Sequence, residues 1–74
     1  MNYQQVKVCL ADLKEFKHAH SMRAAYEGGD YVVYSYWTEI ARVKPDGAII
    51  LNPNKYSVTT SRQQGMLYLL GTGN

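Results

Sequence analysis

The segment from Tyr31 to Val43 constrains the fold most, because it combines strong β-propensity with turn signals on both sides. It is dense in Tyr, Val, Trp, Thr and Ile and contains no Gly or Pro. Gly28-Gly29-Asp30 precedes it and Lys44-Pro45-Asp46-Gly47 follows it, and both have the residues that chain reversals use. We therefore predict one long strand, with a bulge or bend near Ser35–Thr38 because neither face would be purely apolar.

Two shorter segments are predicted to complete a three-stranded antiparallel sheet. Met22, Ala24 and Tyr26 alternate with their neighbours in the two-residue period of a strand. A third strand should return over Ala48 to Leu51. Asn52-Pro53-Asn54 should end it, because proline has no N–H to donate to a strand ladder.

A helix is predicted from Tyr3 to Lys17. Apolar residues in this segment recur at offsets of three and four, as on one face of a helix: Val6, Cys9, Leu10, Leu13 and Phe16. An alternative interpretation remains open, in which Val6-Lys7-Val8 is extended and the helix begins at Asp12, a good N-cap.

A second helix is predicted near the end of the sequence, after a loop that carries Lys55 and Tyr56. Ser61, followed three residues later by Gln64, has the form of a capping box, and the helix would run through Met66–Leu70 to Gly71. The last three residues, 72–74, should fray. The expected fold is a single α+β domain over residues 1–74, in the order α-β-β-β-α.

The composition indicates in which cellular compartment the chain is found and whether it contacts a membrane. With 74 residues, a net charge of +2 and Cys9 as the one cysteine, it has no internal disulfide. The first residues lack the pattern of a secretory signal, and the longest apolar run, Met66–Leu70, is too short to cross a bilayer. We expect a cytoplasmic protein that does not contact a membrane.

The sequence predicts neither an enzyme nor a metal or cofactor site. Its six carboxylates are scattered, no nucleophile elbow or P-loop is present, and a small chain rarely builds a deep pocket for a small-molecule substrate. His18 and His20 with Cys9 would supply three of the four ligands that a structural zinc site requires, at a spacing that matches no zinc motif.

Binding remains as the expected activity, because seven Tyr and one Trp exceed what so small a core can hide. A protein partner is favoured, and Val33, Ile40 and Leu51 are assigned to packing instead. Two alternatives stay open. One is an anion at Thr59-Thr60-Ser61, followed by Arg62. The other is nucleic acid stacked on Tyr34 and Tyr36, with Arg42 and Lys44 contacting phosphates. The candidate partner-binding residues are Tyr36, Trp37, Arg42, Lys44, Tyr56 and Arg62.

Two segments resemble small phage-encoded proteins of mostly unassigned function. They are Tyr31-Val32-Val33-Tyr34-Ser35-Tyr36 and the stretch from Lys55 to Gln63, in which Tyr-Ser-x-Thr-Thr-Ser is most specific. In type, the chain is also similar to small lytic-phage regulators that bind host RNA polymerase and displace σ factor or cause antitermination. The resemblance implies a transcription regulator in the host bacterial cytoplasm, with inhibition of a host defence nuclease as another phage role. Direct nucleic-acid binding, expected from the tyrosines above, remains an alternative.

Overall fold

The computed structural model describes residues 2–19, 21–52 and 65–73. Within them the chain forms one α-helix, five strands and a short 3-10 helix: α1 Tyr3–Asp12, β1 Phe16–His18, β2 Met22–Glu27, β3 Asp30–Ser35, β4 Thr38–Val43, β5 Ile49–Leu51 and the 3-10 helix Leu67–Leu69. The strands lie in the sheet in chain order, and each is antiparallel to the next. The predicted three-stranded sheet with two helices is therefore wrong, although the domain is still a small α+β fold.

Helix α1 begins at Tyr3, as its periodicity predicts, but ends earlier than predicted. Asn2 is the N-cap and forms a reciprocal capping box with Gln5. The helix stops at Leu13, which has the left-handed conformation with φ 54°. The stretch that the prediction continued to Lys17 contains β1, and Asp12 is the last helical residue instead of an N-cap.

The predicted long strand from Tyr31 to Val43 is two strands joined by a tight reversal. Ser35 pairs with Thr38, so Tyr36 and Trp37 form a two-residue hairpin loop. Such loops usually contain Gly, Asn or Asp, and here the first position is a tyrosine with φ 55°. The β2–β3 turn, in contrast, is at the predicted Gly28-Gly29, whose φ values are 59° and 91°.

A β-bulge in β4 determines which side chains share a face. Val33 pairs with Ala41 and Tyr34 with Glu39, so Ile40 is an extra residue on β4. Without it, the odd spacing of Glu39 and Arg42 would place them on opposite faces. With it, both lie on the face of Tyr34, where they form an ion pair.

The hydrophobic core lies on one face of the sheet, under α1 and the C-terminal segment. Its buried members come from α1, β1 to β4 and residues 66–70: Val6, Leu10, Phe16, Met22, Ala24, Tyr31, Val33, Ile40, Ala41, Val43, Met66, Leu67 and Leu70. Val32 is completely buried on the other face of the sheet, which we call the outer face. The outer face is otherwise rich in charged side chains.

The C-terminal segment packs against the end of α1. Of the predicted second helix, residues 61–64 lie outside the described part of the chain, and Leu67–Leu69 forms a 3-10 turn instead of an α-helix. Gly71 N donates to Leu10 O at 3.2 Å, and Gly73 N donates to Ala11 O at 2.9 Å. The expectation of a frayed tail is thus wrong as far as Gly73, because these hydrogen bonds satisfy carbonyls at the helix end.

Two tyrosine hydroxyls fix the loop between α1 and β1. Tyr26 Oη donates to Leu13 O and Tyr31 Oη donates to Lys14 O, each at 2.7 Å. Burial raises the pKa of the Tyr31 phenol far above its usual value. These tyrosines therefore have structural roles, and part of the aromatic surplus is explained by the fold.

In the described ranges, no helix has both the length and the apolar character needed to span a bilayer.

Candidate partner-binding site

Two aromatic side chains project from the β3–β4 turn. Trp37 is 92% exposed and Tyr36 is 48% exposed. Together with four residues of β1, β2 and the loop between them, they line a surface recess of about 350 Å³. We call this surface the tip site, and its residues are Lys17, Ala19, Met22, Arg23, Tyr36 and Trp37.

The backbone around the tip site has an unusual conformation at two positions. Ala19 and Tyr36 both have φ near +50° without being glycine, at 50° and 55°. A bulky residue in this region is an outlier and costs on the order of 1–2 kcal/mol. Tyr36 N donates to Ser21 O at 3.0 Å, so the two turns that form the recess are held together directly.

The tip site carries two positive charges on neighbouring strands. Lys17 of β1 lies directly opposite Arg23 of β2 in the strand register. Like charges in such a pair destabilise a sheet, because directly opposite Cβ atoms are only about 4.5–5.5 Å apart. The Arg23 guanidinium stacks over the Tyr34 ring, with Cζ 4.1 Å from its centroid.

Neither of these two cations has a carboxylate within 4.0 Å in the described part of the chain. All six carboxylates of the sequence are engaged elsewhere. Asp12 contacts the Lys14 amine, Glu15 accepts from the Tyr26 N–H, and Glu27 accepts from the Tyr34 hydroxyl. Asp30 bonds the Arg42 and Lys44 side chains, and Glu39 bonds the Arg42 guanidinium. Asp46 accepts from the Ala48 N–H.

Arg42 and Lys44 belong to a separate, neutralised cluster on the outer face. Arg42 bonds Asp30 at 2.7 Å and Glu39 at 2.8 Å, and Lys44 bonds Asp30 at 3.1 Å. Hydrogen bonds from Arg42 and then Lys44 lower the pKa of Asp30, and the hydrogen bond from Arg42 lowers the pKa of Glu39. The same bonds raise the pKa of Arg42. These two cations therefore stabilise the sheet through internal ion pairs.

The structure brings together some predicted site residues and separates others. Tyr36 and Trp37 are adjacent at the tip site, whereas Arg42 and Lys44 lie in the ion-paired cluster. Tyr56 and Arg62 lie outside the described residues. Of the three residues assigned to packing, Val33 and Ile40 are buried in the core, and Leu51 is 53% exposed, so its assignment is wrong.

The predicted stacking platform of Tyr34 and Tyr36 does not form. Tyr34 is on the outer face with its ring under Arg23, and its hydroxyl donates to Glu27 at 2.7 Å. This hydrogen bond to a carboxylate raises the pKa of Tyr34. Tyr36 is in the turn, where the strand alternation used in the prediction no longer applies.

Sequence reasoning missed Lys17 and Arg23. The predicted first helix includes Lys17, and a helical residue would not pair with Arg23 across two strands. The available signal was the alternation of Phe16, Lys17 and His18, which is too short to separate from a helical turn. A cross-strand pair of this kind can be predicted only when the strand order is known.

His18 has a buried polar atom, Nδ1, that forms no hydrogen bond with any residue that the structure describes. Its ring contacts the Tyr3 ring, with centroids 4.7 Å apart. His20 lies outside the described residues. Among the residues described, no three His, Cys, Asp or Glu side chains come together as metal ligands.

Comparison with known proteins gives one result. No curated protein and no solved structure matches the chain significantly. A family model described as a family of unknown function, DUF8033, matches residues 4–67, which include all of α1 except its first residue, all five strands and the start of the 3-10 helix. This protein belongs to the DUF8033 family.

Proposed function

We propose that this chain is a small phage-type regulatory protein that binds a host protein complex through the tip site and has no catalytic activity. Bacterial RNA polymerase is the leading candidate partner, and the consequence of binding would be inhibition of initiation or antitermination in the host cytoplasm. The phage and polymerase parts of this proposal depend on the sequence resemblance. The observation that carries the binding role is the nearly complete exposure of Trp37.

An exposed tryptophan at a hairpin tip is suited to anchor a protein complex. Tryptophan, tyrosine and arginine dominate the residues whose truncation weakens interfaces most. Burying about 200 Å² of the Trp37 side chain would contribute roughly 5 kcal/mol before the costs of association are subtracted. The left-handed φ of Tyr36 is consistent with this role, because strained backbone persists where function requires a fixed geometry.

Direct nucleic-acid binding is supported less well by the same geometry. The platform proposed from the sequence needed Tyr34 and Tyr36 on one face with Arg42 and Lys44 free to contact phosphates. Arg42 and Lys44 instead pair with carboxylates, and the ring of Tyr34 is already stacked under Arg23. A dedicated nucleic-acid surface would concentrate uncompensated positive charge.

Affinity capture from bacterial lysate tests the proposal. The tagged protein is compared with Trp37→Ala and with Tyr68→Ala, a matched control because Tyr68 is 75% exposed on the 3-10 helix and is not part of the tip site. We expect polymerase subunits to be enriched by the unmodified protein and by Tyr68→Ala, and lost with Trp37→Ala. Absence of polymerase from all three would reject that partner. Equal capture by Trp37→Ala would reject the tip site.

A further inference from the structure

Lys17 and Arg23 are paired across two strands, and no carboxylate of the described residues lies within 4.0 Å of either charge. Two cations face each other on adjacent strands, at the exposed edge of the recess that Tyr36 and Trp37 also line. One of them, Arg23, is attracted to the face of the Tyr34 ring, and Lys17 has no such contact among the described residues. An anion placed between them would turn this repulsion into attraction.

In the described part of the chain, none of the protein's own carboxylates supplies this anion. Each of the six contacts another group, as described above, and the pKa values of Asp30 and Glu39 are lowered by their cationic partners. Among the described residues, Asp30 and Glu39 therefore pair with Arg42 and Lys44, whereas Lys17 and Arg23, directly opposite each other, have no carboxylate within 4.0 Å. This asymmetry within a chain of net charge only +2 points to an external acidic ligand.

We propose that the tip site recognises an acidic segment of a partner protein, with its carboxylates between Lys17 and Arg23 and its aliphatic portions against Trp37 and Tyr36. This inference depends on the proposed function, since it names the chemistry of the partner that the tip site would bind. A recess of about 350 Å³ is large enough for one or two side chains. Adjacent apolar and cationic surfaces match a segment in which Asp or Glu alternate with larger apolar residues.

A nucleic-acid strand fits this surface less well than an acidic peptide. Backbone phosphates along a strand are best matched by a row of cations, whereas the tip site offers two. The next cations on the outer face, Arg42 and Lys44, are already bonded to Asp30 and Glu39. Short carboxylate side chains from one or two residues match a pair of cations on neighbouring strands.

The test uses Trp37 as its own probe, because it is the one tryptophan in the sequence. Its fluorescence is followed at low salt during titration with an octa-glutamate peptide. Octa-glutamine is the neutral control peptide, and an eight-nucleotide oligo-dT strand represents the alternative ligand, a nucleic acid. We expect a saturable change with octa-glutamate that salt reverses. No change with octa-glutamate, an equal change with octa-glutamine, or tighter binding of oligo-dT would each overturn the proposal.

Charge-reversed variants show whether the change depends on the cation pair. Lys17→Glu and Arg23→Glu should each weaken octa-glutamate binding by about two- to fivefold or more, as expected for exposed charge pairs. Lys7→Glu changes the net charge equally but is exposed on α1, which packs on the core face, and should leave the affinity within about twofold. Equal weakening by Lys7→Glu would show a net-charge effect and overturn the inference.

The lysate experiment separates failure of this inference from failure of the proposed function. If Trp37→Ala loses the captured partner while the double variant Lys17→Glu/Arg23→Glu retains it, the tip site binds protein but not through acidic groups. If no polymerase is captured while octa-glutamate still binds and the charge reversals weaken it, the proposed partner is wrong and the acidic chemistry stands.

Discussion

Replacing Lys17 by glutamate should make this protein more stable while it weakens partner binding. Lys17 lies directly opposite Arg23 across the β1–β2 ladder, and their side chains are on the same face of the sheet. Lys17→Glu converts a repulsive pair into an attractive one, and it removes no buried side chain because Lys17 is exposed. The gain in the free energy of unfolding should therefore come from this pair alone.

The expected size of the gain follows from the cross-strand geometry. Opposite charges directly facing each other stabilise a sheet by roughly 0.2–1 kcal/mol, and facing like charges destabilise it by a similar amount. Solvent screening at an exposed edge strand reduces the sum, so we expect about 0.5–1 kcal/mol for the reversal. For a domain of this size, that corresponds to an increase in Tm of about 2–8 °C. Lys17→Gln, which only removes the repulsion, should give about half of the gain.

Thermal unfolding followed by far-UV circular dichroism, at about 10 mM and about 500 mM NaCl, measures this effect. The gain should shrink at high salt, where the Debye length is only a few Å. Lys7→Glu controls for the change in net charge and should shift Tm by much less. A Tm for Lys17→Glu at or below that of the unmodified protein at low salt would refute the reasoning. So would an equal rise in Lys7→Glu.

Three further predictions concern the core and the ion pairs. Leu10→Ala removes a fully buried side chain and should lower the free energy of unfolding by about 2–5 kcal/mol, whereas the exposed Val8→Ala should change the urea midpoint little. Tyr31→Phe removes the hydrogen bond from the phenol to the Lys14 carbonyl and should lower the free energy of unfolding by about 1–2 kcal/mol in the same urea assay. An unchanged urea midpoint would show that this hydrogen bond is unimportant. The pKa values of Asp30 and Glu39 are lowered by folding, so their stabilisation is complete above about pH 5 and is lost as the pH falls through their native values. Urea midpoints should accordingly decrease from pH 5 to pH 2, and a flat profile would contradict this account.

The sequence predicts the parts of this fold that local patterns determine. The spacing of Val6 and Leu10 places both in the core, and Gly28-Gly29 forms a turn as its residue types indicate. The end of α1 was not predictable in the same way. It stops at Leu13 in a left-handed conformation that normally selects glycine, so no residue marks it.

The tip of the β3–β4 hairpin was missed for a related reason. Tyr36 and Trp37 have high β-propensity and lack every usual turn signal, so a sequence pattern extends the strand through them. The bend expected near Ser35–Thr38 came from the mixed character of both faces and marks the place where the chain reverses. The two cations of the candidate site depend on β1, and a three-residue strand leaves no readable period.

The hydrogen bonds from Gly71 and Gly73 to the end of α1 have a consequence for the order of folding. They join residues about sixty positions apart, whereas each neighbouring strand pair is connected through a short loop. Closing a short loop between neighbouring strands costs less chain entropy than joining residues far apart in the sequence. The five-stranded sheet should therefore assemble before the C-terminal segment packs against the helix. The completed helix terminus is then a product of late assembly, and the amide protons of these two glycines would report when the last segment has docked.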